Sequence, residues 1–257
     1  MQRSPDLLAI EVHCCVISDM RRWGHTPYAQ PYWRIYHNAV KGWSINQSGR
    51  VTELTPERVI VVPPEVVYTT DGTCPTSHLF IHFSLRGLAA APRGEVVAVP
   101  VRDAVAGAIE ALRSAPAELP RWQQQALTLA VIGASIGSLP RTQLVENVHG
   151  ESVAVAIAHL AGHLDRPVSN DELAELVGMN TNAFIRRFRH EIGDTPHRYH
   201  LRARIDRAAI ELVHTEDPIE DIASKTGFCD RHHFSRVFSR YRGMAPARYR
   251  ASLRRHM

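Results

Sequence analysis

The sequence predicts an α+β protein of two domains: an N-terminal sandwich or small barrel of short strands with a helical pair, followed by an all-helical C-terminal domain. Three observations carry this. Apolar, β-branched and aromatic runs punctuated by Gly and Pro fill the first hundred residues. From Val101 the chain turns Ala- and Leu-rich, with few glycines. The last hundred residues then contain one helical unit twice.

Bulk properties set bounds. A length of 257 residues suffices for two ordinary domains with real cores. Net charge is +4 and the pI near 9.0, only mildly basic, but the distribution is uneven. Residues 1–150 hold 13 Lys+Arg against 12 Asp+Glu, whereas residues 186–257 hold 16 against 9. The positive excess lies with the repeat, where a phosphate backbone would be met. Cys14, Cys15, Cys74 and Cys229 form no CxxC pair, the start of the chain does not read as a secretory leader, and no apolar stretch reaches the roughly 20 residues that span a bilayer. A cytoplasmic protein with free thiols and no membrane partner is expected.

In the first domain, residues 1–100, the expected strands are Leu7–Val12, Tyr32–His37, Trp43–Asn46, Val59–Val62 and Leu79–Phe83. Turn signals such as Gln47-Ser48-Gly49-Arg50 and Val62-Pro63-Pro64 separate them. In residues 101–140, Val101–Ser114 and Arg121–Ser138 read as two helices bracketed by prolines. Val105, Ile109 and Leu112 share one face of the first, and Leu127, Val131 and Ala134 one face of the second. That pair would either cover an open face of the strands or pair with a second subunit. Residues 141–151 read as a linker, and residues 152–257 as the helical domain. Its helix starts are marked by a capping box at Ser169-Asn170-Asp171-Glu172, by Asp217-Pro218-Ile219-Glu220 with Pro at the first helical position, by Thr195-Pro196 opening a long helix to His214, and by Asp230.

The repeat is specific. Leu173, Ala174 and Gly178 match Ile222, Ala223 and Gly227 at an offset of 49, whereas Phe184, Phe188, Gly193, Pro196 and Tyr199 match Phe234, Phe238, Gly243, Pro246 and Tyr249 at an offset of 50. Each copy reads as helix, turn, helix, the form of a DNA-reading helix-turn-helix. In the second copy Phe234, Val237, Phe238 and Tyr241 make the expected buried stripe, opposite Arg231, His232, Ser235, Arg236 and Ser239. In the first copy Phe184, Phe188 and Ile192 are expected inside, opposite Asn182, Arg186 and Arg189. Side chains near the start of such a helix can reach base edges. Arg187, Arg189, Arg198, Arg202, Lys225 and Arg240 are better suited to phosphates. A single Arg-rich helix face is as readily a merely solvated one; two matched copies behind capped helices argue for a reading surface.

These residues carry a resemblance. The stretch from about Val153 to Ser252 resembles the DNA-binding domain of AraC/XylS-type transcriptional regulators, most strongly at Ile219-Glu220-Asp221-Ile222-Ala223, Gly227-Phe228, His233-Phe234-Ser235-Arg236-Val237-Phe238, Gly243-Met244-Ala245-Pro246 and Tyr249-Arg250. The resemblance implies that Asn182, Ile185 and Arg186 read bases from the first helix, and Arg231, His232, Ser235 and Arg236 from the second. It implies double-stranded DNA and RNA polymerase as partners, a homodimer and activation of transcription. The chain departs from the pattern at Asn180-Thr181, where a small polar residue is usual, and at Phe184 and Phe234, where Leu-like residues are usual. Both changes keep cap and core character.

Further upstream, Leu54–Glu65 and Leu79–Phe83 resemble strands of the family's cupin-like effector barrels, although Glu57 replaces a turn glycine and Val67-Tyr68 stands where many relatives carry His. That implies a small-molecule effector, with sugars as the first class to consider. Trp33, Arg34, His37, Lys41, Trp43, Tyr68, His78, Phe80 and His82 supply the chemistry such a pocket needs. Of these Arg34, Lys41, Tyr68, His78, Phe80 and His82 are the effector-site candidates. An arm over the pocket is implied within Met1–Gln30, with Arg21, Arg22, Trp23, Gly24 and His25 able to close on a ligand. No cofactor and no metal site are expected. The chain lacks the His-x-His of metal-dependent cupins, and the adjacent Cys14 and Cys15 would point to opposite faces. The competing readings are a DNA binder whose barrel serves only for dimerisation and a metal-dependent enzyme tethered to DNA.

Overall fold

A computed structural model describes residues 8–21, 30–72, 74–86, 88–90, 94–114, 119–146 and 150–254. They fall into two compact units divided between Asn147 and Val148. Along the first unit run β1 (Ala9–Met20), β2 (Trp33–Asn38), β3 (Trp43–Gln47), β4 (Arg50–Leu54), β5 (Arg58–Val62), β6 (Thr69–Gly72), β7 (Thr76–Arg86), β8 (Leu88–Ala90) and β9 (Val97–Pro100). Helices α1 (Asp103–Ser114) and α2 (Arg121–Gly137), a 3-10 turn at Arg141–Gln143 and β10 (Leu144–Glu146) follow.

Antiparallel pairing gives a five-stranded sheet in the order β1-β7-β2-β5-β9, a three-stranded sheet β4-β3-β6 and a two-stranded ribbon β10-β8. These are separate sheets, so the expected barrel is not a single closed ring among the described residues. Because alternate side chains leave a strand on opposite faces, the five-stranded sheet serves two cores. Trp33, Ile35, Val59, Val61, Leu79, Ile81 and Phe83 pack against Ala108, Ile109 and Leu112 of α1 and Val131, Ile132 and Ile136 of α2. The helical pair therefore covers this sheet. On the other face Tyr36, Ile60, Val62 and Phe80 pack against Trp43, Ile45 and Leu54 of the three-stranded sheet.

Two segments carry regular structure that the sequence reading did not include, and the division between the units falls inside the expected linker. Within the segment read as an arm, the described residues contain β1, paired along its length with β7. Its half-buried alternation was hidden by a bulge between Val12 and Cys14. Beyond that bulge Cys14 packs into the inner core and Cys15 into the helix-facing one. Arg21 follows β1 and is exposed; Arg22, Trp23, Gly24 and His25 lie outside the described residues. The segment read as a linker begins with the 3-10 turn and β10, which pairs with β8. Three residues are too short a run to announce themselves as a strand.

The second unit contains α3 (Glu151–Gly162), α4 (Asn170–Leu176), α5 (Thr181–Ile192), α6 (Pro196–His214), α7 (Ile219–Lys225), α8 (Arg231–Arg242) and α9 (Pro246–Arg254). α6 has the span its sequence signals predict, opened by the Thr195 side chain accepting from the Arg198 amide. Among the described residues no helix is long and apolar enough to cross a membrane.

Candidate functional site

The two copies superpose in their chemistry. Phe184 and Phe188 lie 5.7 Å apart with Tyr199 edge-on to Phe188 at 5.6 Å; fifty residues on, Phe234 and Phe238 lie 5.5 Å apart with Tyr249 edge-on to Phe238 at 5.2 Å. Those four phenylalanines are fully buried. The burial turns the opposite faces of α5 and α8 outward, which is how a 3.6-residue period separates core from surface.

Both outward helices are capped at both ends. Asn180 accepts from the Asn182 amide at 3.1 Å, and Asp230 accepts from the His232 and His233 amides at 2.8 and 3.0 Å. Those amides hold the Asp230 carboxyl below its usual range. Left-handed Gly193 and Gly243 end the helices. The Ser169 hydroxyl caps α4 by accepting from the Glu172 amide at 3.1 Å. The reciprocal half of that box is not what Glu172 does. Its carboxylate takes Arg166 at 2.6 and 3.0 Å and His159 at 2.7 Å, stronger partners than a backbone amide. They hold its pKa at about 2. At α7 the expected arrangement also shifts. Pro218 is itself the cap residue, and Asp217 instead pairs with Lys225 at 2.6 Å.

Asn182 and Arg186 on α5, and Arg231, His232 and Arg236 on α8, are exposed. Ser235 is half-buried, and its carbonyl accepts from the Ser239 hydroxyl at 2.7 Å. Ile185 is also half-buried and packs on the first copy's core. Tyr241, expected on the buried stripe, is 37% exposed. It sits one turn beyond Phe238, past the ring of Tyr249 that closes that core. Arg189, Arg202 and Arg240 are exposed. Other cations have acidic neighbours: Arg187 with Glu191 at 3.0 Å, Arg198 with Asp194 at 3.4 Å, and Lys225 with Asp217.

Sequence reasoning missed the buried polar residues of α6. Arg204 Nε donates to the Thr226 carbonyl at 2.7 Å, with its guanidinium 4.3 Å from the centroid of Phe228. His200 Nε2 meets the His163 carbonyl at 2.9 Å. The signal was present: His200, Arg204, Ala208 and Leu212 recur every fourth residue, so two polar groups sit on the buried stripe of α6.

In the first unit, β2 turns Arg34, Tyr36 and Asn38 toward the inner core and β7 turns His78, Phe80 and His82 there too. Arg34 donates to the carbonyls of Pro63 and Val66 at 3.2 and 3.1 Å and lies 5.0 Å from the Tyr68 ring centroid. The Tyr36 and Tyr68 hydroxyls meet at 2.7 Å. His78 Nδ1 donates to Asn38 Oδ1 at 2.6 Å; burial, then Arg113 and His37, lowers its pKa to about 3. The rings of His78 and His82 both pack on Phe80 and Tyr36. Five of the six effector-site candidates thus converge. Lys41 does not join them. It is 69% exposed, 4.0 Å from Glu57. Two of the wider set face the wrong way by the same alternation: Trp33 packs under the helices, and His37 accepts from Arg113 of α1 at 2.8 Å while Nε2 donates to Pro56 at 2.9 Å. Tyr36 and Asn38 were missed, though they follow Arg34 at spacings of two and four along one strand.

Comparisons with known proteins bear on the second unit above all. Residues 173–252 match the family model described as "Helix-turn-helix domain". Over 94 residues the chain is 40% identical to the HTH-type transcriptional activator RhaR of Klebsiella pneumoniae, covering 37% of this chain and 34% of that protein. Over 114 residues it is 32% identical to the HTH-type transcriptional activator RhaS of an Enterobacter species, covering 44% and 41%. The chain thus spans well under half the length of these curated relatives. The crystal structure of ToxT from Vibrio cholerae O395 is 9% identical with a TM-score of 0.57, covering 96% of this chain and 98% of that one, a likeness of fold across both units.

Proposed function

From the match of residues 173–252 to a helix-turn-helix domain we propose that the chain is a sequence-specific DNA-binding transcription regulator of the AraC type, an activator, working as a homodimer with RNA polymerase. The observation that carries this is the matched pair of exposed faces on α5 and α8. Each is capped and cationic, and each is held outward by a matching Phe-Phe-Tyr triplet whose phenylalanines are buried. Asn182, Ile185 and Arg186, and Arg231, His232, Ser235 and Arg236, read base edges. Arg187, Arg189, Arg198, Arg202, Lys225 and Arg240 meet phosphates. No catalytic step is needed for this role. The test is selection from a random-sequence duplex library with the full chain, followed by footprinting. Two protected segments about one helical turn apart are expected; no enriched duplex, or a single protected segment, overturns the reading.

For the first unit, we propose that a small-molecule effector, of which sugars are the first class to try, binds among Arg34, Tyr68, His78, Phe80 and His82. Aromatic faces beside hydrogen-bonding groups support this. A specific observation favours a second reading. Tyr36 with Tyr68, His78 with Asn38, and Arg34 with two carbonyls already bond one another, as in an interior that only folds and dimerises. A thermal-shift screen against sugars and related metabolites separates the two, because a ligand favouring the folded state raises its melting temperature. No shift with any compound favours the second.

A further inference from the structure

α6 spans the two helix-turn-helix copies, and such a helix fixes their relative rotation only as far as each copy is held to it. Side chains on its buried stripe add what the helix lacks. His200 ties α6 to the end of α3 through the His163 carbonyl. One turn later, Arg204 ties it to the turn of the second copy through the Thr226 carbonyl and the Phe228 ring. Between those points the copies touch directly. A Cβ on Gly227 would lie 2.8 Å from the Arg166 nitrogen, 2.9 Å from the Asp165 carbonyl carbon and 3.0 Å from the Arg204 guanidinium. The second copy's turn therefore sits against the loop that precedes α4 of the first. Arg242 pairs with Asp206, and Arg250 donates to the Leu212 and Asp217 carbonyls at 3.3 and 2.6 Å, holding α8 and α9 to the same helix.

We infer that Arg204 is a positioning residue that locks the second reading helix to the first, so that both meet DNA at one fixed spacing and rotation. The inference rests on the nucleic-acid reading above. Its chemistry is particular to arginine: a planar cation can stack on a ring with its face while its edge donates to a carbonyl, which a lysine ammonium cannot do at once. With both copies locked, the DNA rather than the protein must adjust when half-site spacing is wrong.

The lock is tested without DNA by spin-labelling the full chain at Arg189→Cys and Arg240→Cys, on exposed positions of α5 and α8, with Cys74 and Cys229 replaced by Ser. One narrow inter-label distance distribution is expected, broadened by Arg204→Met while the melting temperature stays close to the parent's. An unchanged distribution overturns the inference. Should Arg204→Met fail to fold, Phe228→Leu removes the ring beneath the guanidinium and decides by the same criterion. A second arm uses the duplex enriched by the parent chain. Inserting half a helical turn between its protected segments is expected to weaken parent binding about tenfold or more, and Arg204→Met binding by about threefold or less. Equal losses overturn the lock. A library with no enriched duplex overturns the nucleic-acid reading instead, and the distance measurement still decides the lock.

Discussion

Gly178 and Gly227 hold the same place in the two copies and the same left-handed backbone, φ +65° and +76°, but only Gly227 has another backbone against it. Around Gly178 a Cβ would meet nothing within 4 Å. The two glycines therefore separate conformational strain from steric contact. Gly178→Ala should cost about 1–2 kcal/mol, the ordinary price of a left-handed alanine. Gly227→Ala adds a collision with Asp165 and Arg166 and should cost distinctly more. Amide hydrogen exchange across the full chain checks this. Gly178→Ala should loosen the first copy alone, Gly227→Ala both. Equal and local effects would mean that the close approach does not couple the copies.

That asymmetry shows where sequence stops being informative. The duplication, the caps at Ser169, Thr195 and Asp230, and the buried phenylalanines were legible because each rests on local spacing. Glu172 and Asp217 were misjudged because both have partners, Arg166 with His159 and Lys225, that outcompete the local cap. Arg204 was legible only as a cation on an apolar stripe, and its ring and carbonyl partners lie more than twenty residues away. In the first unit strand alternation could group Arg34, Tyr36 and Asn38, but which face was inner depended on where α1 and α2 packed. Lys41 stands outside that argument, because it lies in a bend before β3 where strand alternation assigns no face.

Exposure sorts the reading residues by what their loss should do. Arg236 is exposed on α8 beside Arg231 and His232. Arg236→Ala should cost about 1–3 kcal/mol on the selected duplex and relax preference at one base pair. Arg240→Ala should weaken binding to selected and random duplexes alike and lower the salt slope by about one. Arg187 is a poorer probe of phosphate contact, because its removal also strips Glu191, which accepts from the Gly150 amide at 2.8 Å, of an ion-pair partner. Titrations of both duplexes at several salt concentrations decide the matter. Indistinguishable behaviour of Arg236→Ala and Arg240→Ala would remove the base-reading assignment.

Glu172 should give the second unit an acid-sensitive limb. Arg166 first, then His159, hold its carboxyl at about 2 against an ordinary 4.5. The unfolded chain therefore binds this proton more tightly than the folded one. Its contribution to stability is fully present above about pH 4.5 and is lost as pH falls toward 2. Glu172→Gln should lower stability near neutrality and flatten this limb. A variant whose unfolding midpoint tracks the parent's in parallel through the window would show that the Arg166–His159 cluster contributes nothing through charge.

His78 makes the corresponding case for the first unit. Its imidazole is buried in the inner core, donates to Asn38, and is kept neutral by burial, with Arg113 and His37 opposing a further positive charge. Its pKa falls from an ordinary 6.5 to about 3. On unfolding, the ring can take up a proton that the fold refuses, so the stability linked to it is complete above about pH 6.5 and drains away as pH falls toward 3. His37 faces the α1 side and is also shifted down, by burial first. The parent slope therefore contains both histidines, and the difference between parent and variant isolates one. His78→Gln keeps an amide donor for Asn38 and cannot titrate. Its unfolding midpoint, followed by tryptophan fluorescence, should fall less steeply than the parent's between pH 6.5 and 3. Identical slopes would mean that His78 meets water or a counter-charge that its buried setting does not provide.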